Sequence, residues 1–197
     1  MTYADPMVRQ RYSGLLFELL ERYVIERYGE ASLERALRTC GAHADEPWLS
    51  PFHYDSEQWW AFLDATMALD QLSRQALLKD FARWSTLKLL DRYHGVASGY
   101  SSSLELLAEF RSAILPQVNR FRRVSDIPDF DYRRVDPEHG RIAVPAADMG
   151  WELALEGIVQ GLGEHFGERI TLSPNLDDPA DLEHLHFDLS LAAKETA

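Results

Sequence analysis

The first two-thirds of the chain repeats apolar positions with the spacing of amphipathic helices. Between residues 15 and 28 leucines recur three and four residues apart, Glu18, Glu21 and Arg22 take the remaining face, and Gly29 follows directly. This pattern predicts a helix with one buried face that ends at Gly29. Similar patterns predict helices over 33–39, from Asp55 or Ser56 through Met67, from a Ser73 N-cap to Gly95, and over 103–118.

After Pro128 the period of the pattern changes. Residues 130–135 and 141–144 are β-prone segments around a turn-like sequence, a helix over 148–166 follows, and strand candidates lie at 169–172 and 184–190. Helices followed by strand, strand, helix, strand, strand indicate an α+β protein with a four-stranded antiparallel sheet and one inserted helix. We therefore expect one domain over 1–197, with a helical part (1–126) packed beside a sheet part (127–197).

Composition narrows the class of protein. The chain is 46% hydrophobic and 26% charged, as expected of a globular protein, and its formal net charge of −12 disfavours binding to nucleic acid. A single cysteine, Cys40, excludes an intrachain disulfide, and it is expected to be a small buried residue. No apolar run is long enough for a membrane span and no signal peptide is evident, so we expect a cytoplasmic protein without a membrane partner.

The sequence contains no arrangement typical of an enzyme. Glycine-rich phosphate loops, nucleophile elbows and metal-binding helix motifs are missing. His184, His186 and Asp188 share one face of a predicted strand, so a metal-dependent enzyme stays an alternative. Alternating polar and apolar residues are, however, usual in a half-solvated strand, and we expect neither a metal nor catalysis.

Several segments resemble the H-NOX family, the haem-dependent nitric oxide and oxygen sensor domains. They occur in the family's order and cover nearly the whole chain. Residues 14–30 resemble its opening helix, and 77–84 (LLKDFARW) its leucine-leucine helix, with Ala82 where a glycine is usual. Residues 127–130 resemble the segment leading into the sheet, with Pro128 matching the proline that bends the porphyrin. Residues 156–161 and 164–167 resemble the helix between the strand pairs.

The resemblance implies haem b as cofactor, but this chain departs from the family at the residues that would hold it. The position of the histidine that binds iron falls on Leu115, or on Ile114 if the register shifts by one. The tyrosine, serine and arginine that hold the propionates match Pro145, Ala147 and Met149. None of these side chains ligates iron or pairs a buried carboxylate, so we expect no haem bound in the usual way.

Large aromatic residues are the candidates for the space that a porphyrin would take. The chain has five tryptophans in all. We expect four aromatic side chains near this space: Phe17, Phe81, Trp84 and Phe110. If these rings fill the space the protein is a scaffold, and if they line it an apolar small molecule can bind.

These observations predict a sensory or regulatory binding domain. The family commonly controls histidine kinases or cyclic-dinucleotide enzymes, which the resemblance implies as partner proteins. The alternative is a genuine gas sensor whose haem is held by a non-standard ligand such as His94 or His43. The sequence leaves the partner, the ligand and the oligomeric state open.

Overall fold

The computed structural model describes residues 11–43, 46–116, 130–146, 151–175, 181 and 183–192. These residues belong to two compact units. One contains the described residues up to Arg74, and the other begins at Gln75 and contains the rest. The division into parts 1–126 and 127–197 of a single domain stays a prediction.

The described part of the first unit contains three helices and two short strands. They are β1 (Arg11–Ser13), α1 (Gly14–Tyr28), α2 (Glu30–Cys40), β2 (His53–Asp55) and α3 (Ser56–Asp70). The Ser13 side chain accepts a hydrogen bond from the N–H of Leu15, which caps α1. Gly29 ends α1 at a φ of 84°, a conformation that favours glycine. The predicted end of the first helix is therefore confirmed.

The strand pair of the first unit was not predicted from the sequence. Pro47, Pro51 and the lack of any period predict an irregular connection over residues 41–54, but β2 pairs antiparallel with β1, with Tyr12 opposite Tyr54. Each strand has only three residues, which is too short to show an alternating pattern.

From Gln75 onward, the second unit contains α4 (Arg74–Arg92), α5 (His94–Ala97) and α6 (Ser103–Glu109). The last of these helices continues as a π-helix over Phe110–Ile114. The predicted helix up to Gly95 is thus divided in two. The helical spacing of its apolar residues from Leu77 to Tyr93 predicts one buried stripe, and this prediction is only partly confirmed. Leu77, Leu78 and Phe81 are buried, whereas the later positions of the stripe are half-buried: Trp84, Leu87, Leu90 and Tyr93.

The sheet of the second unit is formed by the later part of the chain. Its elements are β3 (Asp131–Arg134), β4 (His139–Pro145), α7 (Trp151–Phe166), β5 (Ile170–Pro174) and β6 (His184–Leu191). The strand order is β3-β4-β6-β5 and every pair is antiparallel. Ile142, Val144 and Leu189 form part of the buried core with α6 and α7 residues. The predicted α+β fold with one inserted helix is confirmed.

Two ion pairs join α4 to α7. Arg83 donates from Nη1 to both carboxylate oxygens of Glu164, at 2.7 and 2.8 Å. Lys79 pairs with Glu156 at an earlier position on each helix. No helix among the described residues is long and apolar enough to cross a lipid bilayer.

Candidate functional site

The helix to which the resemblance assigns the iron ligand has an aliphatic buried face. Ile114 is buried in the core of the second unit, together with Ile142 and Val144 of the sheet. Leu115 follows it and is half-buried. Residues 103–116 contain no histidine, cysteine, methionine, tyrosine or lysine. This donor set does not fit the ligation of haem iron, because none of these side chains supplies a suitable nitrogen, sulfur or phenolate.

A π-helical turn lies immediately before Leu115. The backbone N–H of Leu115 donates to the carbonyl of Phe110, five residues earlier, instead of the usual four. Such single turns are frequent at functional sites. The Phe110 ring is half-buried and lies 5.4 Å from the ring of Phe130.

Of the positions matched to the propionate motif, only Pro145 is described. It is the last residue of β4, is half-buried and lies opposite His184 in β6. A proline lacks a backbone N–H, so it provides no donor for a carboxylate. Pro128, Ala147 and Met149 lie outside the described residues, and their assigned roles stay predictions.

The four aromatic candidates belong to different units. Phe17 is fully buried in the first unit, where its ring lies 4.7 Å from Trp48, 5.4 Å from Tyr54 and 5.5 Å from Trp59. Phe81, Trp84 and Phe110 belong to the second unit. That all four side chains line one space stays a prediction.

Trp84 is the more accessible of the two aromatic candidates on α4. Its ring stacks on Phe81 with centroids 6.5 Å apart, and Lys88 Nζ lies 5.3 Å from the Trp84 ring centroid. Phe81 is buried while Trp84 is only half-buried. A half-buried indole in contact with a cation has the amphipathic character common at binding surfaces.

All seven histidines lie in the described ranges, and none of them is buried. His94 and His43, the alternative iron ligands, are exposed. His139 lies 2.9 Å from Asp136 in the β3–β4 turn, and His165 packs edge-on against Phe166. Each of these four has the surroundings of a surface residue.

The histidine pair on β6 has a different acidic partner from the one predicted. Asp181 Oδ2 lies 3.2 Å from His184 Nδ1 and 2.9 Å from His186 Nε2. Hydrogen bonds from His186 foremost, then from the backbone N–H of Glu183 and from His184, lower the pKa of Asp181 to about 2. Asp188 instead accepts from Arg141 Nε at 3.0 Å and from Asn175 Nδ2 at 2.9 Å.

This arrangement is consistent with a structural role for the pair. The ring nitrogens and the carboxylate point at one another, so each already has a hydrogen-bonding partner. The described residues contain no group of three His, Cys, Asp or Glu side chains that could hold a metal ion. The spacing of Asp181 three residues before His184 was the available signal for this contact.

A half-buried acid on α1 was also assigned to the wrong face. The sequence pattern predicts Glu21 on the solvated side, but Glu21 is half-buried and lies four positions after Phe17, which is fully buried. Burial, with the nearby Glu18 charge, raises the pKa of Glu21 to about 7. Glu18 Oε1 accepts a hydrogen bond from the backbone N–H of Ser50 at 2.9 Å. The first unit thus holds a carboxyl that titrates near neutral pH.

Solved structures of H-NOX proteins share this fold. The S. oneidensis protein in its Fe(II)NO state is 17% identical, with a TM-score of 0.78 over 92% of this chain and 99% of that chain. The IWP-051-bound protein from Shewanella woodyi is 18% identical, with a TM-score of 0.77 over 93% and 96%. The unliganded Fe(II) protein from K. algicida is 16% identical, with a TM-score of 0.75 over 94% and 99%.

The sequence itself also identifies the family. A comparison with curated proteins found no match. The sequence pattern of the Haem-NO-binding family, in contrast, matches residues 13–173, which make up most of the chain. The protein therefore belongs to the Haem-NO-binding, or H-NOX, family of sensor domains.

Proposed function

We propose that this chain is a sensory or regulatory H-NOX domain that does not hold haem through the family's histidine. It signals by contact with a partner protein, for which a histidine kinase or a cyclic-dinucleotide enzyme is the family's example, or by binding an apolar small molecule. It performs no catalysis of its own and acts in the cytoplasm.

The aliphatic side chains at residues 114 and 115 carry this proposal. Ile114 packs in the core of the second unit and Leu115 is half-buried, and both side chains consist of carbon alone, so neither can ligate iron. Pro145 adds a second departure, because it replaces a hydrogen-bonding side chain in the propionate motif. A shift of the alignment by one residue explains a single departure more readily than it explains departures in two separate segments.

Without iron ligation, signalling requires another molecule that binds one conformation of the domain more tightly than the other. A ligand shifts a conformational equilibrium only if it binds one state more tightly than the other. Contact with a partner protein or with an apolar molecule can supply this difference. Half-buried Trp84 and Leu115 are the described candidate side chains for an apolar ligand.

Absorbance spectroscopy tests the proposal directly. Protein expressed with a haem precursor and then incubated with excess hemin is expected to show no stoichiometric Soret band after desalting. The variants Leu115→His and Ile114→His, prepared in parallel, report whether an imidazole at either position restores binding.

A stoichiometric Soret band in the unchanged protein would overturn the proposal. The alternative, a gas sensor with a non-standard ligand, would then be tested with His94→Ala and His43→Ala. The variant that loses the band would identify the ligand. Both imidazoles are exposed here, which gives this alternative less support.

A further inference from the structure

Strands β3 and β4 direct one set of their side chains away from the core. Tyr132, Ile142 and Val144 pack on the core side, and side chains alternate along a strand, so the residues between them face outward. Val135 extends this face, since its backbone N–H donates to the carbonyl of His139 at 2.9 Å. We call the outward residues the β3–β4 outer face: Asp131, Arg133, Val135, His139, Arg141 and Ala143.

Two arginines lie directly opposite each other on this face. Arg133 of β3 is the register partner of Arg141 in β4. Side chains opposite each other in an antiparallel pair have Cβ atoms about 5 Å apart, and like charges at that spacing repel. The arginine pair therefore costs stability in the free protein, and a negatively charged group bound beside it would remove this repulsion.

Arg133 is the arginine of this face that is available to a ligand. Arg141 donates from Nε to Asp188 at 3.0 Å, and Asp131 accepts from Arg111 at 3.2 Å. Within the described part of the chain, the Arg133 side chain is exposed and makes no hydrogen bond or ion pair. Both aspartates thus have a cationic partner, whereas the charge of Arg133 is left without a counter-charge among these residues.

The other acids of the hairpin lie in its turn. Asp136 accepts hydrogen bonds from the backbone N–H groups of Glu138 and His139. Glu138 is exposed and lies three residues before Arg141. Three strand residues span about 10 Å, which is also about the screening length in 0.1 M salt. The acids of the turn therefore offset the charge of Arg133 only weakly.

Val135 adds an apolar contact beside Arg133. Its side chain is 55% exposed and follows Arg133 by two residues, so both project from the same face. Two strand residues span about 7 Å, and an extended peptide carries its own side chains at the same spacing. An acid and an apolar residue two positions apart in such a peptide can therefore contact Arg133 and Val135 together.

We propose that the β3–β4 outer face binds an extended segment of a partner protein in which an Asp or Glu stands two residues from an apolar side chain. The carboxylate accepts hydrogen bonds from the planar Arg133 guanidinium, whose geometry matches it, and the apolar side chain covers Val135. The inference rests on the proposed function, which assigns signalling to contact with a partner protein. It adds where the partner binds and what chemistry the partner has.

The charge of the whole chain limits the ligand to few negative charges. The formal net charge is −12, so a polyanion or an anionic membrane is repelled. A single carboxylate depends mainly on the local field of Arg133 and Arg141, because more distant charges are screened beyond about 8 Å at physiological ionic strength. A short segment with one acid therefore fits this face better than a phosphate-rich surface.

Binding of defined peptides to the whole chain tests the proposal. The probe is a serine peptide of about eight residues, capped at both ends, with one Glu and one Val two positions apart. One control replaces the Glu by Gln, and a second places Glu and Val at adjacent positions, where they face opposite sides. In ¹⁵N NMR spectra the probe is expected to shift residues 131–135 and 139–143 saturably. The Gln control is expected to bind about tenfold more weakly, and the adjacent control about threefold.

Variants separate Arg133 from general electrostatic attraction. Arg133→Gln is expected to weaken probe binding about tenfold, and to leave the free protein at least as stable because it removes the repulsion from Arg141. A purely structural role for Arg133 would instead make this variant less stable. Arg35→Gln is the matched control, since Arg35 is exposed on α2 of the first unit, and it is expected to leave probe binding unchanged. Circular dichroism checks that both variants are folded.

Several results would overturn the proposal. These are shifts confined to other residues, equal affinity for the Gln control, or equal weakening by the Arg133 and Arg35 variants. Tighter binding of inorganic phosphate than of the probe would assign the face to a phosphate group, and binding to phosphatidylserine vesicles that Arg133→Gln abolishes would assign it to a membrane. The haem absorbance test does not involve this face, so failure here leaves that proposal standing.

Discussion

Gly157 of α7 lies directly against the backbone of Lys79 in α4. A Cβ atom on this glycine would stand 2.1 Å from the Lys79 carbonyl oxygen and 2.9 Å from the Ala82 Cβ. Since one obstacle is backbone, no side-chain rotation relieves the clash. Gly157→Ala is therefore expected to destabilise the protein by about 1–3 kcal/mol in urea unfolding.

Gly95→Ala is the matched control for this prediction. Gly95 is also helical, and a Cβ atom added to it would meet no heavy atom within 4 Å, so alanine is expected to be neutral or slightly stabilising. Equal stability of the two variants would contradict the close packing of α7 on α4.

The Arg83–Glu164 pair is expected to contribute modestly to stability. Arg83 Nη1 reaches both carboxylate oxygens, but the side chains are 33% and 48% exposed. A double-mutant cycle with Arg83→Gln and Glu164→Gln is expected to give a coupling of about 0.5–1 kcal/mol. The coupling is expected to fall in about 1 M salt, and a coupling that salt does not alter would contradict a solvent-screened pair.

Glu21 is expected to make stability depend on pH. Its folded-state pKa of about 7 lies above the ordinary value of 4.5, so the folded chain holds this proton more tightly than the unfolded chain. The resulting stabilisation is complete below pH 4.5 and is lost as the pH rises through 7. The Glu21→Gln variant mimics the protonated acid. It is expected to be more stable than the original chain, by a margin that grows as the pH rises through this range.

Glu18→Gln provides the accompanying test. It removes the neighbouring charge but keeps an oxygen that can accept from Ser50. The Glu18 charge is the second cause of the raised pKa of Glu21. In the Glu18→Gln variant, the stabilisation from Glu21 is therefore expected to be lost at a lower pH. An unchanged window would mean that burial alone sets the pKa of Glu21.

Asp181 is expected to titrate at a pKa of about 2, below its ordinary value of 3.8, because His186, the backbone N–H of Glu183 and His184 donate to it. Its contribution to stability is present above pH 3.8 and is lost as the pH falls through 2. In carboxyl ¹³C NMR, His186→Ala is expected to raise the pKa of Asp181 more than His184→Ala does. The opposite order would contradict the assignment of His186 as the main donor.

The order of helices and strands could be predicted because each long element carries its own signal. The α1 pattern and the glycine after it were sufficient to place the end of that helix. The β1–β2 pair was missed because its pairing depends on residues about 40 positions apart, as with Tyr12 and Tyr54. The part of α4 after Phe81 is only half-buried because its exposure depends on which other elements pack against it. The apolar pattern of one helix does not contain that information.

The chemistry of the candidate site was predictable in part. The absence of a ligating side chain over residues 103–116 is visible in the sequence alone. The partner of His184 and His186 was misassigned, because strand alternation points to Asp188, whereas Asp181, only three residues before His184, contacts both rings. Likewise, Glu21 was grouped with exposed acids although it lies one turn after Phe17.

The π-helical turn over Phe110–Ile114 affects how homologous positions are matched. A π-turn holds one residue more than an α-turn, so every later residue is rotated by about 100° relative to an uninterrupted helix. Deleting one residue within this turn would let an α-helix form and would leave Leu115 at the angular position that it has now. Alignment by counting residues and alignment by helical phase therefore disagree by one position at this point of the chain.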